Sequence, residues 1–289
     1  MSWVTLIIIS AVLASFHQIY SKKALLKEHA IEFLTVLSIM GSLLSLFFLP
    51  QASFNFALKY YFLIFIAAFI CAMAGILYVK ALKHMEVSSV APLQNLSPLF
   101  LLVIGFTFLG ERLTLLQILG ILILVFGAYF IEIKHHSKNL LEPFKEIIKS
   151  KYTIFVILAL VIYAVSAALE KYILSNGVNT YSLLIIYRLI SAVIFITITF
   201  VFYKGFTDIV HGIKETGVTM AFIALVGIGS TYFYYEALSL AYVSLVIPIK
   251  RLSTLMTTMV GGEMFHEHNL THKAIGCLIM IAGAVCIAI

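Results

Sequence analysis

The chain has 289 residues, of which 62% are hydrophobic and 11% charged, with a formal net charge of +6. A soluble domain carries roughly 25% charged residues, so this composition excludes an ordinary water-soluble domain and describes a chain whose surroundings are largely hydrocarbon. Lysine excess would point to nucleic acid in a soluble protein, but here it falls in short loops beside apolar segments, and no nucleic-acid partner is expected.

Apolar segments long enough to cross ~30 Å of hydrocarbon, about 20 residues each, succeed one another at 3–20, 31–49, 60–79, 87–109 and 115–131. The first has no basic residue before it and no small-residue cleavage pattern after it, so it reads as a retained span and not as a leader. The stretch 132–151 is polar, with an amphipathic part at 140–148 flanked by Lys138 and Lys149 and carrying Lys145. It reads as a linker with a short helix on the membrane surface. A second set of apolar segments follows at 152–174, 181–203, 218–238, 243–265 and 272–289. Cys71, Cys277 and Cys286 all fall inside apolar segments without a CxxC spacing, so neither a disulfide nor a metal site is indicated.

The stretch from Tyr78 to Ile131 repeats, at one constant register, in Tyr234 to Ile287. Ala81-Leu82 falls on Ala237-Leu238, Val87-Ser88 on Val243-Ser244, Pro92 on Pro248, Gly105 on Gly261, Glu111 on Glu267, Gly120 on Gly276 and Gly127-Ala128 on Gly283-Ala284. Shared Pro, Gly and Glu do not arise from apolar composition alone. The first helices of each half also correspond, Lys22 falling on Lys171, so each repeat has five helices. Two copies of an odd number of spans enter the membrane from opposite faces, the construction of many secondary transporters with a site at the midplane. The expected fold is an all-α membrane protein of ten transmembrane helices, arranged as two inverted five-helix repeats (1–131 and 152–289) around a central cavity. Lys22, Lys23, Lys80, Lys83 and Lys151 share one face of this arrangement, against Lys59, Arg112 and Lys171 on the other. The lysine-rich face is therefore expected in the cytoplasm, with both termini outside.

Within the match, Gln94-Asn95 of the first copy faces Lys250-Arg251 of the second. An ionised residue at the bilayer centre costs about 2.5–3.5 kcal/mol on insertion scales, so such residues usually face a cavity or a partner. The alternative, a pair that snorkels from a helix end to the headgroups, would have helix nine begin near Leu252 and leave apolar 243–249 in water. Arg188 lies about as deep in helix seven as Lys250 does in helix nine. It is either a third cation of one anion-binding region or a structural residue held by a carbonyl, Glu170 or Glu236. Tyr78 and Tyr234 are candidates to line the cavity, although interfacial belts enrich tyrosine too. His17, beside Gln18 in helix one, is a candidate for proton coupling because imidazole titrates near neutral pH, with a hydrogen-bonded structural role as the other reading. His266-Glu267-His268 with His272 and Glu263 has metal-ligating types but not HExxH spacing, and reads as a solvated turn. Catalysis has no support from paired carboxylates, a Ser/His or Cys/His arrangement, GxGxxG or metal spacing. Neither an enzyme activity nor a cofactor or metal is expected.

Phe108-Leu109-Gly110-Glu111-Arg112-Leu113-Thr114 with Gln117, Gly120 and Gly127 resembles the end-of-repeat pattern of the EamA-type drug/metabolite transporters, and the second copy keeps Glu267, Gly276 and Gly283. The resemblance covers essentially the whole chain. It implies a ten-helix basket that opens its cavity alternately to each side and moves small metabolites. The stretch Pro248 to Ser253 is also similar to the ninth-helix Lys-Arg pair with which the related sugar-phosphate translocators hold phosphate, although those carry a further Lys where this chain has Gln94. The reading that follows is a secondary transporter of anionic or zwitterionic solutes, multi-pass in a prokaryotic inner membrane. Lys250, Arg251, Arg188, Gln94, Asn95, Tyr234 and Tyr78 are its candidate substrate-binding residues. An efflux route for drugs or amino acids through a hydrophobic cavity is the competing reading. The expected partners are a small-molecule solute and the lipid bilayer, and a monomer and a homodimer both stay open.

Overall fold

The computed structural model describes residues 1–25, 27–85, 93–94, 96–132, 151–203, 205–257 and 270–289. Among them run α1 (Trp3–Leu25), α2 (Ala30–Ser45), which tightens into a 3-10 segment (Leu46–Gln51) at Pro50, α3 (Leu58–His84), α4 (Ser97–Phe108) and α5 (Leu115–Glu132). After the linker come α6 (Lys151–Ser175), α7 (Thr180–Phe202), α8 (Phe206–Leu240), α9 (Val243–Lys250) and α10 (Leu270–Ala288). The linker helix, Pro92, Asn95 and the stretch holding Glu263, His266, Glu267 and His268 lie outside the described residues.

Among the described residues, six helices are long and apolar enough to cross a membrane: Trp3–Leu25, Ala30–Gln51, Leu58–His84, Lys151–Ser175, Thr180–Phe202 and Ile209–Leu240. Ser97–Phe108, Leu115–Gly127 and Leu278–Ala288 are apolar but shorter. The outer surface is apolar where a soluble protein's would be charged: Phe62, Phe106, Leu225 and Leu278 each expose more than half their area. The buried side, by contrast, is rich in small polar residues such as Ser10, Thr35, Ser166 and Ser230. With lipid as the solvent, close packing and interhelical hydrogen bonds take over from apolar burial as the force between helices.

Two of the spans are interrupted close to proline. Helix four does not run unbroken through its centre: residues 93–94 are helical, Leu96 is in a turn, and α4 starts at Ser97 with Pro98 in its first turn. Proline disfavours helical backbone at the residue before it and is tolerated where the N–H would be unpaired. In the second half, α9 ends at Lys250, Arg251 forms a turn, and helix resumes over 252–257, with Pro248 inside the preceding turn. The chain also starts α8 twelve residues before the apolar segment at 218. Gly205, at φ +60, turns the backbone there, and the polar stretch beyond it forms extra turns.

Packing joins the two halves throughout. Helix α5 pairs with α10, α2 with α7, α4 with α9, α1 with α8 and α3 with α6. Hydrogen bonds fix these pairings: Ser10 and Ser230 donate to each other's carbonyl (2.7 and 2.9 Å), and the Thr35 and Thr199 hydroxyls meet at 2.7 Å. Lys22 of α1 donates to the last carbonyls of α3, Leu82 (2.7 Å) and Met85 (3.0 Å), while Lys171 of α6 donates to the Leu238 carbonyl near the end of α8 (2.8 Å). Each ammonium thereby satisfies orphan C=O groups at a helix C-terminus and meets its negative dipole end.

Contact between α5 and α10 is made by glycine. A Cβ on Gly283 would lie 2.6 Å from the Leu124 nitrogen and 2.7 Å from the Gly120 oxygen, and one on Gly127 would lie 3.0 Å from the Gly276 oxygen. Backbone cannot give way as a side chain can, and overpacking of this kind costs about 1–3 kcal/mol. Gly283→Ala is therefore expected to lower the thermal midpoint of the purified protein in detergent. Gly217→Ala on α8, whose Cβ would meet only the Ile213 side chain at 3.6 Å, is expected to leave it unchanged or raise it, since alanine is the better helix former.

Candidate functional site

A cavity of about 260 Å³ lies between the halves. Its walls are the second half of α1 (His17, Gln18), the first half of α2 (Phe33, Leu37), the second half of α3 (Tyr78), Tyr163 of α6, and the interrupted segments that carry Gln94 and Lys250-Arg251. All of these lie toward the end of the bundle where Leu25 and Leu82 also line the space. Helix breaks put polar backbone and side chains at mid-membrane depth, which is tolerated only where they are buried in protein or line a cavity.

Arg251 is held tightly. Its Nε donates to the Ser97 hydroxyl (2.9 Å) and its Nη1 to Gln94 Oε1 (3.4 Å). The Gln94 amide in turn donates to the Tyr78 hydroxyl, which also accepts from Gln18 Nε2 (3.3 Å). A chain of polar groups thus runs Arg251, Gln94, Tyr78, Gln18 across four elements, and it orients each member by the next. Gln18 is the member that reasoning on sequence placed only beside His17, because nothing in its spacing announces a partner in α3.

Lys250 is different. Its ammonium sits 3.9 Å from the centroid of the Tyr234 ring, a cation–π contact worth about 0.5–2 kcal/mol. It has no hydrogen-bond acceptor among the described residues, and it lines the cavity. Tyr234 is 5% exposed and stands behind Lys250 instead of lining the space. Its hydroxyl donates to Glu170 Oε2 (3.2 Å), whose other oxygen accepts from Ser166 (3.2 Å).

Arg188 is also outside the lining. Its Nη2 donates to the Thr231 hydroxyl (2.8 Å) and toward the Gly227 carbonyl (3.5 Å), its Nε is buried without a partner, and it packs over Gly41. The pairing is with a carbonyl and a hydroxyl of α8, not with Glu170 or Glu236. His17 lines the cavity with its ring against Gly227, where a Cβ would lie 2.8 Å from Cδ2. The same glycine therefore receives His17 on its open face and Arg188 on its carbonyl.

At the opposite end of the bundle, Phe48, Tyr181 and Tyr232 stack on one another with centroids 5.4–5.8 Å apart, and the two tyrosine hydroxyls meet at 3.2 Å. Glu111 supports this end from within. Gly110, in the left-handed region at φ +66, ends α4 and lets the Glu111 N–H return to the Gly105 carbonyl (3.0 Å). The carboxylate then turns inward, 3% exposed, and accepts the Val243 N–H (2.7 Å), the Ser244 N–H (3.1 Å) and the Ser244 hydroxyl. It caps α9, the helix that ends at Lys250.

A further polar cluster, not singled out in the sequence, ties α8 to the turn between α1 and α2. Glu32 Oε1 lies 2.7 Å from His211 Nδ1 and Thr216 donates to Glu28 Oε1 (3.1 Å). Glu28 and His211 are too far apart in sequence for spacing to reveal the contact. Burial and the neighbouring Glu32 carboxylate push the Glu28 carboxyl up from its ordinary value.

The EamA-like transporter family matches residues 1–133 and again 150–289. No curated protein matches the sequence. A solved crystal structure is similar in fold, with a TM-score of 0.71 at 15% identity over 98% of this chain and 95% of that one.

Proposed function

The chain belongs to the EamA-like transporter family and is an integral, multi-pass membrane protein that transports small molecules, and from that premise we propose that it carries small anionic or zwitterionic solutes by alternating access between two inverted five-helix repeats. Ten helices, α1–α5 and α6–α10, cross a prokaryotic inner membrane with the lysine-rich end in the cytoplasm, and 132–151 links the halves.

Helix direction supports the inverted plan. Ser182 of α7 meets Ser53, just beyond α2, while Thr199 meets Thr35. Ser244 of α9 reaches the Leu101 carbonyl while Arg251 reaches Ser97, and Gly283 lies on Gly120 while Gly276 lies on Gly127. In these three pairs the helix of one half runs antiparallel to its counterpart in the other, which supports the inverted plan. The family match in two stretches and the mirrored lysine caps of Lys22 and Lys171 point the same way. An outer end sealed by the Phe48, Tyr181 and Tyr232 stack and a cavity open toward the lysine-rich end support reading this as the inward-facing member of the cycle.

One observation carries the substrate class: Lys250 presents to the cavity an ammonium with no hydrogen-bond acceptor among the described residues. Lys250 is the electrostatic anchor. Arg251 holds the wall in register and faces the same anion, Gln94 and Tyr78 with Asn95 offer neutral hydrogen bonds, Arg188 and Tyr234 position the cationic wall, and His17 couples a proton. At about 260 Å³ the space falls below the ~300–1,000 Å³ typical of drug-sized ligands, which favours a small metabolite over a drug. Reconstituted into liposomes, the protein is expected to take up or exchange labelled small carboxylates or phosphates. Transport of hydrophobic compounds without any of these anions would replace this reading with the efflux one.

A further inference from the structure

A second concavity, of about 450 Å³, sits at the same end of the bundle but on the other side of α2 and α3. Its lining shares no residue with the central cavity. On α3 the cavity takes Gly75, Tyr78, Val79 and Leu82, spaced as one helical face, whereas this concavity takes Lys80, Lys83 and His84. With about 100° between successive residues, the two sets look away from each other. Lys151 and Tyr152 from the start of α6 and Tyr203 from the end of α7 complete the polar part, and Ala30, Ile31 and Phe155 supply an apolar wall.

Charge in this concavity is of one sign. Three lysines and two histidines, His29 and His84, line it, and among the described residues no acidic side chain does. Tyr152 organises part of the cluster: His84 stacks on its ring at 4.6 Å and the Lys151 ammonium lies 5.0 Å from its centroid. Lys83 donates to the Glu28 carbonyl (3.0 Å), and the Lys80 ammonium has no partner among the described residues. The rule that orients a chain by lysines near its span ends asks only for charge on one face. It does not account for a concave pocket with tyrosines at the headgroup level and an apolar wall continuing toward the hydrocarbon. Gathered like charges need a counterion, and at the membrane surface the abundant one is a lipid phosphate.

We infer that the groove between the α3 C-terminus, the α6 N-terminus and the α7 C-terminus binds the headgroup of an acidic phospholipid, with Lys80 and Lys151 on the phosphate and the acyl chains along Phe155. The site is separate from the transport cavity and does not depend on what that cavity carries. The test reconstitutes the protein in nanodiscs of phosphatidylcholine, with and without phosphatidylglycerol, and reads the thermal midpoint together with the lipids retained in native mass spectrometry.

Phosphatidylglycerol is expected to raise the midpoint and to stay bound. The Lys80→Gln/Lys151→Gln variant is expected to lose at least half of that shift while keeping the wild-type midpoint in phosphatidylcholine. Lys59→Gln, at the opposite end over the Tyr60 ring, is expected to keep the shift in full. Equal midpoints in both lipids with no retained phosphatidylglycerol overturn the proposal, as does a full shift in the double variant. Glycerol phosphate reproducing the shift in phosphatidylcholine alone would make this a free-anion pocket and overturn the lipid assignment. If the double variant does not fold, Lys80→Gln alone and the wild-type lipid retention still decide.

Discussion

Replacing Glu111 by alanine is expected to lower stability by about 3 kcal/mol and to abolish transport, because it removes the cap of the helix that presents Lys250. The buried carboxylate accepts two N–H groups from the first turn of α9 and the Ser244 hydroxyl. Hydrogen bonds to a charged group contribute about 1.5–3 kcal/mol, and a buried donor left without a partner costs about 1–3 kcal/mol. The carboxylate is 3% exposed, and Gly105, which lies close against Glu111 and Ser244, leaves no room for a larger rearrangement. Glu111→Gln keeps the shape and one acceptor but turns an amide donor toward backbone donors, so an intermediate loss is expected. Thermal unfolding in detergent checks both variants. A midpoint for Glu111→Ala equal to that of the wild type would mean that the carboxylate does not hold α9.

Glu111 also shows where sequence reasoning stopped. Its recurrence at Glu267 and its place in the Gly-Glu-Arg motif mark it as part of the plan, but nothing in a linear motif says that a carboxylate after α4 faces the N-terminus of α9, more than a hundred residues away. The helices themselves were legible, since apolar length in a membrane leaves few alternatives. Their interruptions at Leu96 and Arg251 fall close to Pro98 and Pro248, residues that remove helix hydrogen bonds and can kink a span. Matching depth left Arg188 either joined to Lys250 or held by a carbonyl. Depth along a helix does not fix azimuth, and Arg188 turns to Thr231 and Gly227 of α8 instead. Gln18 and the Glu32–His211 contact depend wholly on tertiary placement.

Lys250→Ala is expected to weaken binding of the anionic solute by about 10–100-fold, the equivalent of one charged hydrogen bond of about 1.5–3 kcal/mol, while the thermal midpoint of the unliganded protein holds or rises. The two readouts separate function from structure. If Lys250 were there to support the fold, its removal would cost the cation–π contact with Tyr234 and leave the Tyr234 to Glu170 bond exposed to rearrangement, and the midpoint would fall with affinity unchanged. If it serves the solute, deletion relieves a charge held at mid-membrane without an acceptor, a burden of about 2.5–3.5 kcal/mol on insertion scales, and what disappears is the attraction the ligand would have felt. Arg251→Ala is expected to behave otherwise: it frees Ser97 and Gln94 of their donor, so it should lower the midpoint as well as the affinity. An anion that binds Lys250→Ala as tightly as the wild type would remove the lysine from the site and leave Arg251 to carry the charge.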